Sequence, residues 1–201
     1  MEIIPQRAFY LELCMFAARL AEQGKHALNC SLKVGNFAEF KEYGGQIFCN
    51  SAIENGLLGA RLILNFLGIY IDKTGRKLIS RPPAPRFQAT EVWVESFKGG
   101  RLISVRELIS ILPVGLNSRD LKSHIIRILN YANSETMHMT KSLSKNPYGG
   151  IRVDSLYYTC WIAREQLLDH FYRKCICHPV PELLKPFDQS PYRDKRADFL
   201  I

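Results

Sequence analysis

Residues 51–70 read SAIENGLLGARLILNFLGIY, and their apolar side chains recur at helical spacing. Steps of three or four residues place the main apolar positions on one helix face. These positions are Ile53, Leu57, Ala60, Leu64 and Leu67. Ser51 and Glu54 have capping-box spacing, so the helix is predicted to begin at Ser51, and Gly68 is predicted to end it. Because it is apolar around most of its circumference, we expect it to be the buried central helix of an all-α domain.

The same spacing predicts three further long helices and two short ones with cap signals. The long helices run from about Pro5 to Gln23, from Ser118 to about Met139 and from Asp154 to Cys175, and the short ones are residues 36–43 and the segment opening at Ser104. Together they predict an up-and-down bundle of four to five helices. We expect one domain over residues 1–185 and a loosely attached C-terminal arm over residues 186–201.

Residues 71–103 interrupt the helical pattern with an irregular insert. Alternation on both sides of an Asp-Lys-Thr-Gly sequence predicts a small hairpin, and the proline-rich SRPPAPRF segment is expected to be extended. Residues 73–86 carry five cations and no acid. The cations are Lys73, Arg76, Lys77, Arg81 and Arg86. Two interpretations stay open, a solvated loop or an arm that contacts phosphates.

The composition favours a polyanionic partner. The chain of 201 residues has a formal net charge of +8 and an isoelectric point of about 9.2. No apolar run reaches the length of a membrane span and the N-terminus does not resemble a signal peptide, so we expect a cytoplasmic protein without membrane contact. Six cysteines without a C-x-x-C pair are then expected to be reduced thiols.

Two arginine–histidine pairs have the chemistry of metal-independent RNA cleavage. Histidine can take the proton of a ribose 2′-hydroxyl or protonate the leaving oxygen, and arginine can stabilise the charge that develops on the phosphate. Arg173 and His178 are separated by four residues near the end of the last long helix. The alternative pair is Arg61 and His138, which an antiparallel arrangement of helices can bring together.

Each of these pairs also has a purely structural interpretation. Arg173 and His178 can complement the dipole at a helix C-terminus. Arg61 can extend to solvent or pair with Glu54, and a histidine such as His138 is common at a helix end.

The sequence predicts neither a metal site nor a cofactor. Cys175, Cys177 and His178 are ligand types for zinc, but one residue separates the cysteines and no fourth ligand is evident. Phosphate-binding glycine loops, H-E-x-x-H and a nucleophile elbow are absent from the sequence, which disfavours nucleotide-dependent enzymes and zinc proteases.

The segments Leu57–Leu67 (LLGARLILNFL) and Met137–Thr140 (MHMT) resemble motifs of uncharacterised bacterial proteins related to the HEPN helical-bundle superfamily. The likeness covers roughly residues 50–140. It implies a bundle of four to five helices that forms homodimers, and many such proteins are RNases of antiviral or toxin–antitoxin systems. Their signature arginine and histidine match Arg173 and His178 in spacing, although Lys174 replaces the usual polar residue after the arginine.

These observations predict an HEPN-like RNA-binding protein that acts as a metal-independent endoribonuclease of a bacterial defence or toxin–antitoxin type. Two alternatives stay open. The first is a non-catalytic module of the same fold that binds a protein partner through an apolar helix face. The second is a sensor of a small anion with Arg61 in its pocket.

Overall fold

Four long helices and two small hairpins make up the described part of a computed structural model of the chain. The described residues are 3–22, 32–34, 38–40, 44–81, 92–113, 115–134, 152–177 and 179. In chain order the elements are α1 (Ile3–Glu22), β1 (Leu32–Val34), β2 (Ala38–Phe40), α2 (Gly44–Phe66), β3 (Ile69–Ile71), β4 (Leu78–Ser80), a 3₁₀ helix (Val94–Ser96), α3 (Val105–Leu108), α4 (Ser118–Ser134) and α5 (Val153–Gln166). A π-helical segment, Leu167–Cys175, continues α5. The prediction of an all-α helical bundle is confirmed.

The central helix α2 meets α1 at Gly56, where the two backbones come unusually close. A Cβ atom on Gly56 would lie 2.1 Å from the Cβ atom of Cys14, which is fully buried in α1. The thiol of Cys160 in α5 donates to the carbonyl of Gly56 at 3.9 Å. Three long helices therefore meet around one residue that has no side chain.

A buried ion pair joins α1 to α5. Glu12 and Arg164 form this pair, and each residue is only 1% exposed. The guanidinium of Arg164 also contacts the carboxylate of Glu165 at 2.5 Å. Because removing one partner would leave a buried charge without compensation, the pair strongly favours this register of α1 against α5.

The end of the insert and the short helix α3 that follows it are attached to the bundle by side chains of α5 and its π-helical continuation. The Nε2 atom of Gln166 donates to the carbonyls of Glu107 and Leu108 at 2.9 and 3.0 Å. The Nε2 atom of His170 lies 2.7 Å from the carbonyl oxygen of Arg101. These contacts hold residues 101–108 against α5 and its π-helical continuation.

Two local predictions for the segment between α2 and α4 are confirmed. β3 and β4 pair antiparallel, with Ile69 opposite Ser80, as the predicted hairpin requires. Ser104 and Glu107 form the predicted capping box at α3. Hydrogen bonds from Arg101 and from the backbone N–H of Ser104 lower the pKa of Glu107 to about 2, so its carboxylate stays charged.

Two other local predictions are wrong. The short helix expected over residues 36–43 is contradicted by Ala38–Phe40, which is a strand paired antiparallel with Leu32–Val34. The start of the central helix at Ser51 is also wrong, because α2 begins at Gly44. Gly44 and Gly45 are buried residues of this helix, and tertiary packing there outweighs their low helix propensity.

No described helix has the length and apolarity needed to cross a membrane. The predicted domain boundary at residue 185 and the C-terminal arm lie outside the described residues.

The close approach at Gly56 predicts a large loss of stability for Gly56→Ala. Its new methyl group would overlap Cys14, and overpacking of this kind typically costs about 1–3 kcal/mol. Gly59→Ala in the same helix is the matched control and should lose less stability. Its Cβ atom would lie 3.2 Å from its nearest neighbour, the Arg7 carbonyl oxygen, against 2.1 Å for the Cβ atom at Gly56. Urea unfolding of both variants measures the difference. Equal stability of the two variants would contradict the described packing of α1 against α2.

Candidate functional site

The β3–β4 hairpin presents three cations from the predicted basic cluster on the surface. Lys73, Arg76 and Lys77 lie in the turn between the strands, and all three are exposed. Asp72, at the start of this turn, is the nearest acid in the chain. Its carboxylate accepts hydrogen bonds from the backbone N–H groups of Arg76 and Lys77 at 2.8 and 3.0 Å.

Hydrogen bonding inside the turn fixes the position of the Asp72 carboxylate. The hydroxyl of Thr74 donates to it at 2.7 Å, and this bond, followed by the N–H of Lys77, lowers the pKa of Asp72. The carboxylate therefore serves the turn geometry, and the positive charge of Lys77 also lowers its pKa. The lysine and arginine side chains of the turn are exposed.

The tip of the hairpin is attached to α4. The Nδ2 atom of Asn130 donates to the carbonyl of Gly75 at 2.7 Å. Gly75 has a φ angle of +70°, and a Cβ atom there would lie 2.6 Å from the Asn130 side-chain oxygen. The turn thus requires glycine for its conformation and for this contact.

Arg81, also predicted to belong to the cluster, has a different environment. Its guanidinium lies 3.8 Å from the ring centroid of Trp93, which is a cation–π distance. Arg81 is half-buried and Trp93 is buried, so this arginine is part of the base of the hairpin. Arg86 lies outside the described residues.

A pocket of about 240 Å³ lies beside the hairpin, between α2, β3 and α4. Arg61 is one of its lining residues, and Tyr70 and Ile71 of the hairpin are others. The remaining lining residues are Asn65, Leu129 and Asn133. The structure therefore brings together Arg61 and the hairpin that carries the basic cluster, two features that the sequence analysis considered separately.

Arg61 contacts the C-terminal end of α4 from this pocket. Its Nη1 atom lies 3.4 Å from the carbonyl oxygen of Ala132, which is in the last turn of that helix. The contact complements the negative end of the helix dipole. Among the described residues, no carboxylate forms an ion pair with Arg61, so the predicted alternative of a pair with Glu54 is not observed.

The other predicted arginine, Arg173, is exposed in the π-helical segment. Its neighbour Lys174 pairs with Asp169 at 2.5 Å. Both predicted histidine partners, His178 and His138, lie outside the described residues, so neither arginine–histidine pair is described as a whole. Of the two predicted arginines, Arg61 lines the pocket beside the hairpin.

Sequence reasoning missed Asn65, Tyr70 and Asn133 as lining residues of the pocket. Asn65 had a local signal, because it follows Arg61 by four residues and therefore shares its helix face. Tyr70 and Asn133 had none, since their position depends on how the hairpin and α4 pack against α2.

A second polar cluster lies where α4 meets the start of α5. The Nδ1 atom of His124 lies 2.8 Å from the hydroxyl of Ser155, and burial lowers the pKa of His124. Arg127 approaches the same hydroxyl at 3.4 Å. Ser155 is fully buried, so this cluster joins two helices and does not present a nucleophile to a substrate.

Within the described ranges, no group of three or more His, Cys, Asp or Glu side chains could hold a metal ion. Cys175 is buried and Cys177 is exposed, whereas the third residue of the possible zinc set, His178, lies outside those ranges.

No family model, curated protein or solved structure matches this chain.

Proposed function

We propose that this is an RNA-binding protein whose interface consists of the β3–β4 hairpin and the pocket lined by Arg61. The observation that carries the proposal is that three exposed cations, Lys73, Arg76 and Lys77, belong to the hairpin whose first strand lines that pocket. Phosphate groups along a strand need several cations on one surface. This hairpin supplies three, and its one acid, Asp72, accepts hydrogen bonds from within the turn.

The electrostatics of the whole chain support the same partner. A net charge of +8 attracts polyanions over a distance set by the ionic strength. The anchored turn adds a local element, because the Asn130–Gly75 hydrogen bond holds the backbone that carries the three cations. A pre-ordered surface loses less conformational entropy when it binds a strand.

Metal-independent cleavage of that RNA is the catalytic part of the proposal. The resemblance to HEPN proteins and the two predicted pairs, Arg61 with His138 and Arg173 with His178, support it. We favour Arg61 and His138, because Arg61 is the arginine that lies beside the hairpin. In this reaction histidine takes the 2′-hydroxyl proton, and the 2′-oxygen attacks the adjacent phosphorus. The bond from phosphorus to the 5′-oxygen breaks, and the released oxygen takes a proton back from the protonated histidine. Arginine stabilises the negative charge that develops on the phosphate.

We also propose that the protein acts in the cytoplasm, as part of a bacterial defence or toxin–antitoxin system. The five described cysteines are thiols and not disulfides, which supports a reducing compartment.

Neutralising the hairpin is expected to weaken RNA binding. For a variant with Lys73→Gln, Arg76→Gln and Lys77→Gln, the dissociation constant for single-stranded RNA should rise about tenfold or more at roughly 50 mM salt. The slope of log K against log salt should fall by roughly 2, since each lost phosphate contact removes about 0.7. Fluorescence anisotropy over a salt series measures both quantities.

The matched control for this variant keeps the charges and changes the side chains. Lys73→Arg, Arg76→Lys and Lys77→Arg should bind RNA with nearly the wild-type salt slope, because phosphate contacts depend mainly on charge. RNA binding that is absent in the wild-type protein at low salt, or unaffected by neutralisation, would contradict the proposed interface.

RNA cleavage in EDTA tests the catalytic part. The wild-type protein should cleave RNA without a metal ion, and His138→Ala should abolish cleavage while His178→Ala keeps it. The opposite result would transfer the role to Arg173 and His178. If all three proteins bind RNA and none cleaves it, the catalytic part is wrong and a binding module remains.

A homodimer, or a complex with another protein, is the second candidate interaction. Phe16 in α1 and Ile47 in α2 are 40% and 46% exposed, and the ring of Phe16 meets that of Phe48 at 6.0 Å. This apolar surface on two neighbouring helices supports an interface of the kind that the HEPN resemblance implies.

A charge in this apolar surface is expected to separate the copies. Ile47→Glu should convert a dimer of the wild-type protein to a monomer, since a charge in an apolar interface is strongly disfavoured. Val92→Glu is the control at a position that is 63% exposed. Multi-angle light scattering measures the mass, and a wild-type monomer at all concentrations would exclude the homodimer.

A further inference from the structure

The pocket beside the hairpin has the chemistry of a nucleobase site. We infer that it holds one base of the bound RNA strand, with the adjoining phosphate on Arg61. The inference rests on the proposed function and adds to it a site for base recognition.

Three elements each contribute two lining residues. On α2 they are Arg61 and Asn65, and on α4 they are Leu129 and Asn133; each pair is four residues apart and so shares a helix face. The strand β3 adds Tyr70 and Ile71. The pocket therefore rests on secondary structure, which positions polar groups more rigidly than a loop does.

The polar groups of the pocket suit the edge of a base. Asn65 and Asn133 each carry an amide donor and an amide acceptor, the combination that pairs with base edges. Within the described residues, neither side-chain amide has a hydrogen-bond partner. Asn65 is half-buried and Asn133 is exposed.

The other lining groups suit the faces of a base and its phosphate. Tyr70 lines the pocket with an aromatic ring, which also contacts the ring of Trp93 at 5.9 Å between centroids. Its hydroxyl donates to the carbonyl of Asn65 at 3.3 Å. Ile71 and Leu129 add apolar surface. Unstacked RNA bases bind to proteins by this combination of aromatic stacking and edge hydrogen bonds. A free phosphate would use Arg61 and leave the apolar surface without a partner.

The position of the pocket fits a strand that follows the hairpin. Tyr70 and Ile71 directly precede the turn that carries Lys73, Arg76 and Lys77, so the base site and the three cations belong to one hairpin. The cations then contribute affinity without sequence preference, and the pocket contributes a preference for one base.

Binding of short RNA homopolymers tests the inference. The wild-type protein should prefer one of oligo(A), oligo(C) and oligo(U) about tenfold, a typical effect of one well-paired base edge. Asn133→Leu, on an exposed side chain whose loss does not threaten folding, should remove most of this preference and leave the salt slope unchanged. Asn65→Leu should do the same. Anisotropy with the three oligomers at one salt concentration measures the ratios.

Asn55→Leu is the matched control on α2. Its side chain donates to the Ser51 carbonyl at 2.8 Å and does not line the pocket, so base preference should stay as in the wild type. RNA binding with equal affinity for all three oligomers, unchanged by Asn133→Leu, would overturn the nucleobase site and leave the hairpin interface standing. Absence of RNA binding at low salt would overturn the interface and the site together.

Discussion

The packing of α1 against α2 at Gly56 is the constraint on which the bundle depends. A side chain at Gly56 would occupy the space of Cys14, so the two helices can approach only because this residue has none. The buried pair of Glu12 and Arg164 then fixes α1 against α5, since each charge needs the other away from water. Once α1 and α5 have packed against α2, the part of α2 that carries Arg61 and Asn65 is left to form a pocket with the hairpin and α4.

The segment between α2 and α4 is held in place by contacts with the long helices. Its own secondary structure is limited to short elements, and a two-stranded hairpin alone is only marginally stable in water. Asn130 holds the hairpin tip, and Gln166 and His170 hold residues 101–108. This explains how a basic turn can be both exposed and ordered: its charged side chains are in solvent while its backbone is bonded to a helix.

Sequence reasoning predicted what depends on local spacing. The long helices, the β3–β4 hairpin and the capping box of Ser104 and Glu107 follow from residues close together in the chain. The prediction of a helix over residues 36–43 was wrong, because its cap signal is local whereas Ala38–Phe40 pairs with another strand. The Glu12–Arg164 pair and the joining of Arg61 to the hairpin could not be predicted, since each depends on residues that meet only after the helices have packed.

The sequence left two interpretations of Arg61 open, a structural arginine and an arginine that binds an anion, and its surroundings have features of both. It has a structural contact, because its guanidinium donates to the Ala132 carbonyl at the end of α4. That acceptor is a neutral group, so the contact orients the guanidinium without neutralising its charge, as a carboxylate partner would. An arginine has five N–H donors in a fixed plane, and one bond to a helix end leaves others directed elsewhere. The structural role of Arg61 therefore supports an anion-binding role, because it holds a positive charge at the wall of a pocket that opens beside a basic hairpin.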